Sequence, residues 1–262
     1  MITYIKRVVE LAAVVEDLQA RELTEKERNL LSVAYKHIVG PLRNSWRVIM
    51  SVQKHSETLK QELSGPVGEL RIKIEKEIAD RCNELAGLID ENVLSHTNSA
   101  DGKTYFHKMK GDYYRYLSEV QSPPAISEAP RSPIANEAAE LARNAYDKAF
   151  EFTVDLSPIN ETRLALALNY STLLHEAYKD STGACEVARR ACQDVIEQGL
   201  AEWTQGENEG VILIYELLRS NLKLWTEPSQ RMREPQGQGH PMQQYGEPSR
   251  PQPQMYMNGQ YR

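Results

Sequence analysis

Val211-Ile-Leu-Ile-Tyr-Glu-Leu-Leu-Arg-Ser-Asn-Leu-Lys-Leu-Trp225 is the stretch whose spacing decides the fold. Val211, Tyr215, Leu218, Leu222 and Trp225 recur at four, three, four and three residues, the repeat of one face of an α-helix rather than the alternation of a strand. Leu213, Ile214 and Leu217, with Asn221 and Trp225, make a second stripe beside the first. A helix apolar on two faces is either buried all round or offers one face to a ligand. Leu164, Leu168, Thr172 and Glu176, with Asn169 alongside, repeat the situation, and core packing is the default for those leucines. Further out, Val8, Leu11, Val15 and Leu18 share a helical face, and Thr24 with Glu27 forms a capping box opening a helix that runs to about Leu63. More helices are expected at about 68–94, 101–121, 134–155, 160–179, 183–201 and 207–226. The expected fold is therefore all-α, an antiparallel bundle of about eight helices, without a regular helical repeat. Pro41, after Gly40, removes a backbone donor and crowds the carbonyl of His37, so a kink is expected there.

The 262 residues are enough for a sizeable core. With 31 Lys and Arg against 37 Asp and Glu, the net charge of −6 argues weakly against a nucleic-acid surface. No apolar run approaches the roughly 18 residues of a membrane span, and no export signal is expected. Cys82, Cys185 and Cys192 show no metal-ligand spacing and are expected as buried thiols in a reducing compartment. Six of the 13 prolines fall from Pro228 onward, among Gln and Gly, so residues 1–227 are expected to form the helical domain and 228–262 a disordered tail. Arg231, Arg233, Arg250 and Arg262 against Glu234 and Glu247 give that tail +2 and leave −8 for the body.

Catalytic and cofactor motifs are lacking: six scattered His, no HExxH, no GxSxG, no P-loop and no GxGxxG, so neither an enzyme nor a metal or other cofactor is expected. His175 beside Glu176 is taken as structural. Aligned polar groups are more informative. Lys36 and Arg43 stand two turns apart on one helix face, and Lys108, Arg115 and Glu119 repeat the arrangement amid tyrosines. Such groups either receive an anion or form a solvated face with scattered salt bridges.

Four ordered blocks carry a resemblance: Glu27-Arg-Asn-Leu-Leu-Ser-Val-Ala-Tyr-Lys36 followed by Ser45-Trp-Arg47; Lys108-Met-Lys-Gly-Asp-Tyr-Tyr-Arg-Tyr-Leu117; Arg163-Leu-Ala-Leu-Ala-Leu-Asn169-Tyr-Ser; and Leu217-Leu-Arg-Ser-Asn-Leu-Lys-Leu-Trp225. Together they resemble the 14-3-3 family across almost all of residues 8–226. The resemblance implies a cup-shaped helical domain whose groove binds phosphoserine or phosphothreonine in an extended partner segment. It implies phosphate contacts from Lys36, Arg43, Arg115 and the Tyr116 hydroxyl, and ligand-backbone contacts from Asn169 and Asn221. It implies an apolar wall of Leu168, Leu213, Ile214 and Leu217, with Trp225 closing one end, Lys108 lining the groove and Glu176 near the basic cluster.

The implied function is a phosphorylation-dependent adapter regulating phosphorylated partner proteins in signalling, cytoplasmic and also nuclear, without nucleic-acid or membrane-spanning roles. The alternative is a helical scaffold with weakened phosphate recognition that binds partners through its apolar groove or tail. Family members form homo- or heterodimers through a first helix that has no counterpart here, so a monomer or weakened dimer is expected although Lys73 and Glu77 occupy intersubunit salt-bridge positions. His37, Pro41, Thr172 and Ser220 depart from the family pattern, which affects ligand preference more than ligand class. Ser122 and Ser132 each precede Pro in a loop open to proline-directed kinases, and the tail is taken as an inert tether rather than a competitor for the groove.

Overall fold

The computed structural model describes residues 2–13, 22–58, 65–122, 131–199 and 208–226. Among them are eight α-helices and no strand: α1 Ile2–Ala13, α2 Glu25–Thr58, α3 Pro66–Leu88, α4 Ala100–Val120, α5 Pro133–Glu151, α6 Glu161–Glu176, α7 Ser181–Glu197 and α8 Glu209–Thr226. The all-helical expectation holds, helix by helix, with ends displaced by a few residues. Residues 228–262 and most of the Ser-Pro loop lie outside the described residues.

Helix starts follow local chemistry. The Thr24 amide and hydroxyl donate to Glu27 Oε2 at 2.8 and 2.7 Å, which is the expected capping box. Ser99, Ser132, Asn160 and Asp180 cap α4, α5, α6 and α7 by accepting from backbone amides three residues on. Pro66 and Pro133 sit in first turns, where a missing amide proton costs nothing. After α6, Lys179 adopts a left-handed φ of 56°, which ends the run before Asp180 opens α7. The segment after α3 continues as a π-helical turn, Ile89–Val93, and a 3-10 turn, Leu94–His96. Pro41 does not end α2. His37 and Pro41 both lie on its exposed face, where water can satisfy the carbonyl that loses its partner.

The helices form two layers. Sequence neighbours pack side by side, and in addition α2 packs on α4, α4 on α6, and α6 on α8. The even-numbered helices thus make one continuous layer, with α3, α5 and α7 behind it. Its core mixes aliphatic and aromatic side chains, with Leu31, Tyr35, Ile78, Leu85 and Phe106 fully buried between α2, α3 and α4, and Leu164, Val195 and Leu218 buried between α6, α7 and α8. The closest packing joins α4 to α5. Ala135, Ala138, Ala142 and Ala149 give α5 a thin buried face, and Gly111 on α4 lies where an added Cβ would fall 2.4 Å from the Tyr146 ring. Cys82, Cys185 and Cys192 are free and buried.

Candidate functional site

Every sequence-predicted site residue falls on the even-numbered layer: Lys36 and Arg43 on α2; Lys108, Arg115 and Tyr116 on α4; Leu168, Asn169 and Glu176 on α6; Leu213, Ile214, Leu217, Asn221 and Trp225 on α8. Residues separated by up to 189 positions share one layer because α2, α4, α6 and α8 pack in succession, not because they are near in sequence.

The α2–α4 crossing gathers the charges. Arg43 donates to Glu119 Oε2 from Nε at 3.2 Å and Nη2 at 2.5 Å. Arg47, one turn on, donates from Nε to the other oxygen of the same carboxylate at 2.8 Å. Glu119 therefore holds both guanidinium groups in one orientation across two helices. The Arg43 guanidinium lies over the Tyr116 ring, and Arg115 lies on that ring too, with its carbon 5.0 Å from the centroid. Arg115 Nε also donates to the Tyr146 hydroxyl at 3.3 Å. Lys36 is exposed two turns before Arg43 on α2.

Arg115, Glu119 and Glu176 all keep solvent-accessible surface, yet loss of hydration is the largest influence on the ionisation of each. These side chains reach water while the surrounding protein crowds them. For Arg115 the desolvation is outweighed by Tyr146, Tyr116, Asp112 and Glu176, which together hold the guanidinium above its ordinary pKa. Glu119 is likewise desolvated, but Arg43 and Arg47 more than compensate and depress its carboxyl. At Glu176 the balance reverses. Desolvation, with the Glu119 charge added, exceeds the pull of Arg115, Arg47 and Arg43, and its pKa is raised.

Close to Arg115, Asp112 is 5% exposed and collects three donors: Lys108 Nζ at 2.8 Å, the Tyr146 hydroxyl at 2.7 Å and Asn169 Nδ2 at 2.7 Å. Lys108 is thereby buried against its own helix, its ammonium neutralised by Asp112. The apolar residues separate into two groups. Leu168 and Ile214 join the core between α6, α7 and α8, Asn221 is also buried, Leu217 is half-buried and Leu213 is exposed. Trp225 stacks on His175 with ring centroids 4.7 Å apart, which accounts for that histidine structurally, and burial lowers the His175 pKa. Thr172 returns its hydroxyl to the Leu168 carbonyl at 2.9 Å, so its polar atom needs no ligand.

Residues 1–226 match the family model described as 14-3-3 protein. The chain belongs to the 14-3-3 family. A 14-3-3 protein of Giardia intestinalis is 39% identical over 211 residues, covering 79% of this chain and 81% of that one. The 14-3-3 protein zeta of Bombyx mori is 39% identical over 212 residues, covering 80% and 81%. A 14-3-3-like protein 2 of Caenorhabditis elegans is 38% identical over 229 residues, covering 86% and 84%. Membership of the 14-3-3 family supports an adapter that binds partner proteins, a non-enzymatic role. Among the described residues, no helix is long and apolar enough to cross a membrane.

Sequence reasoning passed over three contributors to this 14-3-3 arrangement. Asp112 had a local signal, the four-residue step from Lys108 that pairs the two on one helix face. Leu224, 41% exposed, follows Leu217 by seven residues and extends the stripe of Leu213 and Leu217. Tyr146 had none, because it reaches Asp112 and Arg115 from another helix more than 30 positions away.

Proposed function

We propose that this protein binds phosphoserine- or phosphothreonine-containing segments of partner proteins and regulates them as a signalling adapter. One observation carries the reading: a chain of net charge −6 gathers Arg43, Arg47 and Arg115 about Tyr116 and Glu119, with Lys36 on the same layer. Among the described residues Glu119, Asp112 and Glu176 oppose them, and Glu176 is the carboxylate that favours its proton. A phosphate ester of charge about −1.5 to −2, with three acceptor oxygens, is the ligand such a cluster suits. Charge-assisted hydrogen bonds are worth roughly 1.5–3 kcal/mol each, so two or three of them can dominate binding. Asn169 and Asn221 pair with the ligand's peptide groups, and the stripe of Leu213, Leu217 and Leu224 takes flanking apolar side chains.

The reading is tested by fluorescence anisotropy with one peptide in phosphorylated and unphosphorylated forms. Removing the phosphate is expected to weaken binding by about two orders of magnitude, the equivalent of two lost charge-assisted bonds. Arg115→Glu is expected to abolish phosphopeptide binding with helical content intact. Equal affinity for the two peptides would instead favour a scaffold that recognises partners without phosphate, in which Glu119 permanently occupies the arginines.

A further inference from the structure

We propose that Asp112, which contacts no ligand in the reading above, is the positioning residue that fixes both the phosphate-contacting and the backbone-contacting side chains. The inference rests on the phosphopeptide reading and adds to it a single control point. An ionised carboxylate can only accept hydrogen bonds, so each partner of Asp112 is forced into one orientation. Asn169 must present its amide nitrogen, as it does at 2.7 Å, and its amide oxygen is turned away from Asp112. That oxygen is then the atom offered to a ligand N–H. Tyr146 has one hydroxyl proton and gives it to Asp112 at 2.7 Å, so its oxygen must accept from Arg115 Nε, as it does at 3.3 Å. Arg115 is thereby held through Nε, and its terminal nitrogens remain for an anion.

The third contact explains what the arrangement withholds. Lys108 gives its ammonium to Asp112 at 2.8 Å, with both side chains under 10% exposed, so this lysine orients the carboxylate and does not serve as a phosphate ligand. A buried ion pair contributes little net stability against an apolar replacement of similar size. Convergence of donors from α4, α5 and α6 on one carboxylate is therefore better explained by orientation than by stability. It also couples two side chains on different helices: moving Asp112 turns the Asn169 amide and releases Arg115 together.

The test uses the full chain and one phosphoserine peptide, comparing the wild type with Asp112→Asn, Tyr146→Phe and Asn169→Ala. Asp112→Asn keeps the shape but supplies an amide that can also donate, so the fixed polarity is lost and affinity is expected to fall about tenfold. In a chain already carrying Tyr146→Phe and Asn169→Ala, the same substitution is expected to cost under about twofold, because both arms are gone. The side-chain amide resonance of Asn169 in a nitrogen–proton correlation spectrum is expected to shift in Asp112→Asn before any peptide is added. Binding by Asp112→Asn within about twofold of wild type overturns the proposal, as does an undiminished penalty in the doubly substituted background. Should Asp112→Asn fail to fold, Tyr146→Phe decides, since it keeps the ring: a loss of about threefold or more supports the relay, and unchanged affinity overturns it. A wild-type protein that ignores the phosphopeptide overturns the functional reading itself, and this inference with it.

Discussion

The guanidinium carbon of Arg43 stands 3.6 Å from the centroid of the Tyr116 ring, a stacking distance that fixes the plane of the arginine fork. Glu119 holds the same fork at its edge, so Arg43 is constrained on two sides before any ligand arrives. Preorganised this way, it loses little side-chain freedom on binding.

The ring and the hydroxyl of Tyr116 are separable. Tyr116→Phe keeps the surface beneath Arg43 and removes one polar group, so phosphopeptide affinity is expected to fall about threefold to tenfold. Tyr116→Ala removes the stacking as well, worth about 0.5–2 kcal/mol, and is expected to weaken binding further and lower the Tm. Anisotropy titrations with thermal melts distinguish the two.

Glu176 sets a pH dependence whose sign follows from its raised pKa. The folded state binds this proton more tightly than the unfolded chain, so the group's contribution to stability is fully present below the unfolded value of 4.5 and is lost as pH rises through the folded value. Glu176→Gln imitates the protonated form. It is expected to raise the Tm at pH 7, with the gain shrinking as pH falls toward 4.5. Removing the negative charge should also strengthen phosphopeptide binding by about threefold at pH 7. Melting curves and titrations across pH check both.

Gly111 is required by close approach. A Cβ there would lie 2.4 Å from Tyr146 Cδ1 and Cε1, so Gly111→Ala forces α4 and α5 apart or tilts the ring. A cost of about 1–3 kcal/mol is expected, read as a fall in Tm of several degrees. Because Tyr146 also holds Arg115, phosphopeptide affinity should fall with it.

Thr24 provides the contrasting control. Thr24→Ala breaks the capping box at the start of α2 and is expected to cost about 1 kcal/mol of stability. It lies roughly 28 Å along the helix from Arg43, at 1.5 Å per residue, so affinity should not change. A change in affinity measured well below the Tm would contradict that.

Local order was legible without the structure. The capping box at Thr24 and Glu27 involves groups three residues apart, and helical periodicity along α8 or α6 needs only neighbours three and four positions away. Those short-range patterns also placed Lys36 beside Arg43, and Arg115 beside Glu119, on their own helices. What they left open was which of two apolar stripes each helix would bury. On α8, Ile214 went into the core with Val211 and Leu218, while Leu213 stayed at the surface with Leu224. That choice depends on α6 and α7, whose positions no local pattern encodes.

Determined by the sequence alone were the helices, their starts and the charged residues that share a helix face, because each follows from local chemistry. Decided only by the tertiary structure were the partners that lie on other helices: Glu119 spanning Arg43 and Arg47, and Asp112 reached by Tyr146 of α5 and Asn169 of α6. The physical reason is that a charge's partner is whatever the packing of distant helices brings within 3 Å, and a one-dimensional repeat specifies a face without specifying what will lie against it.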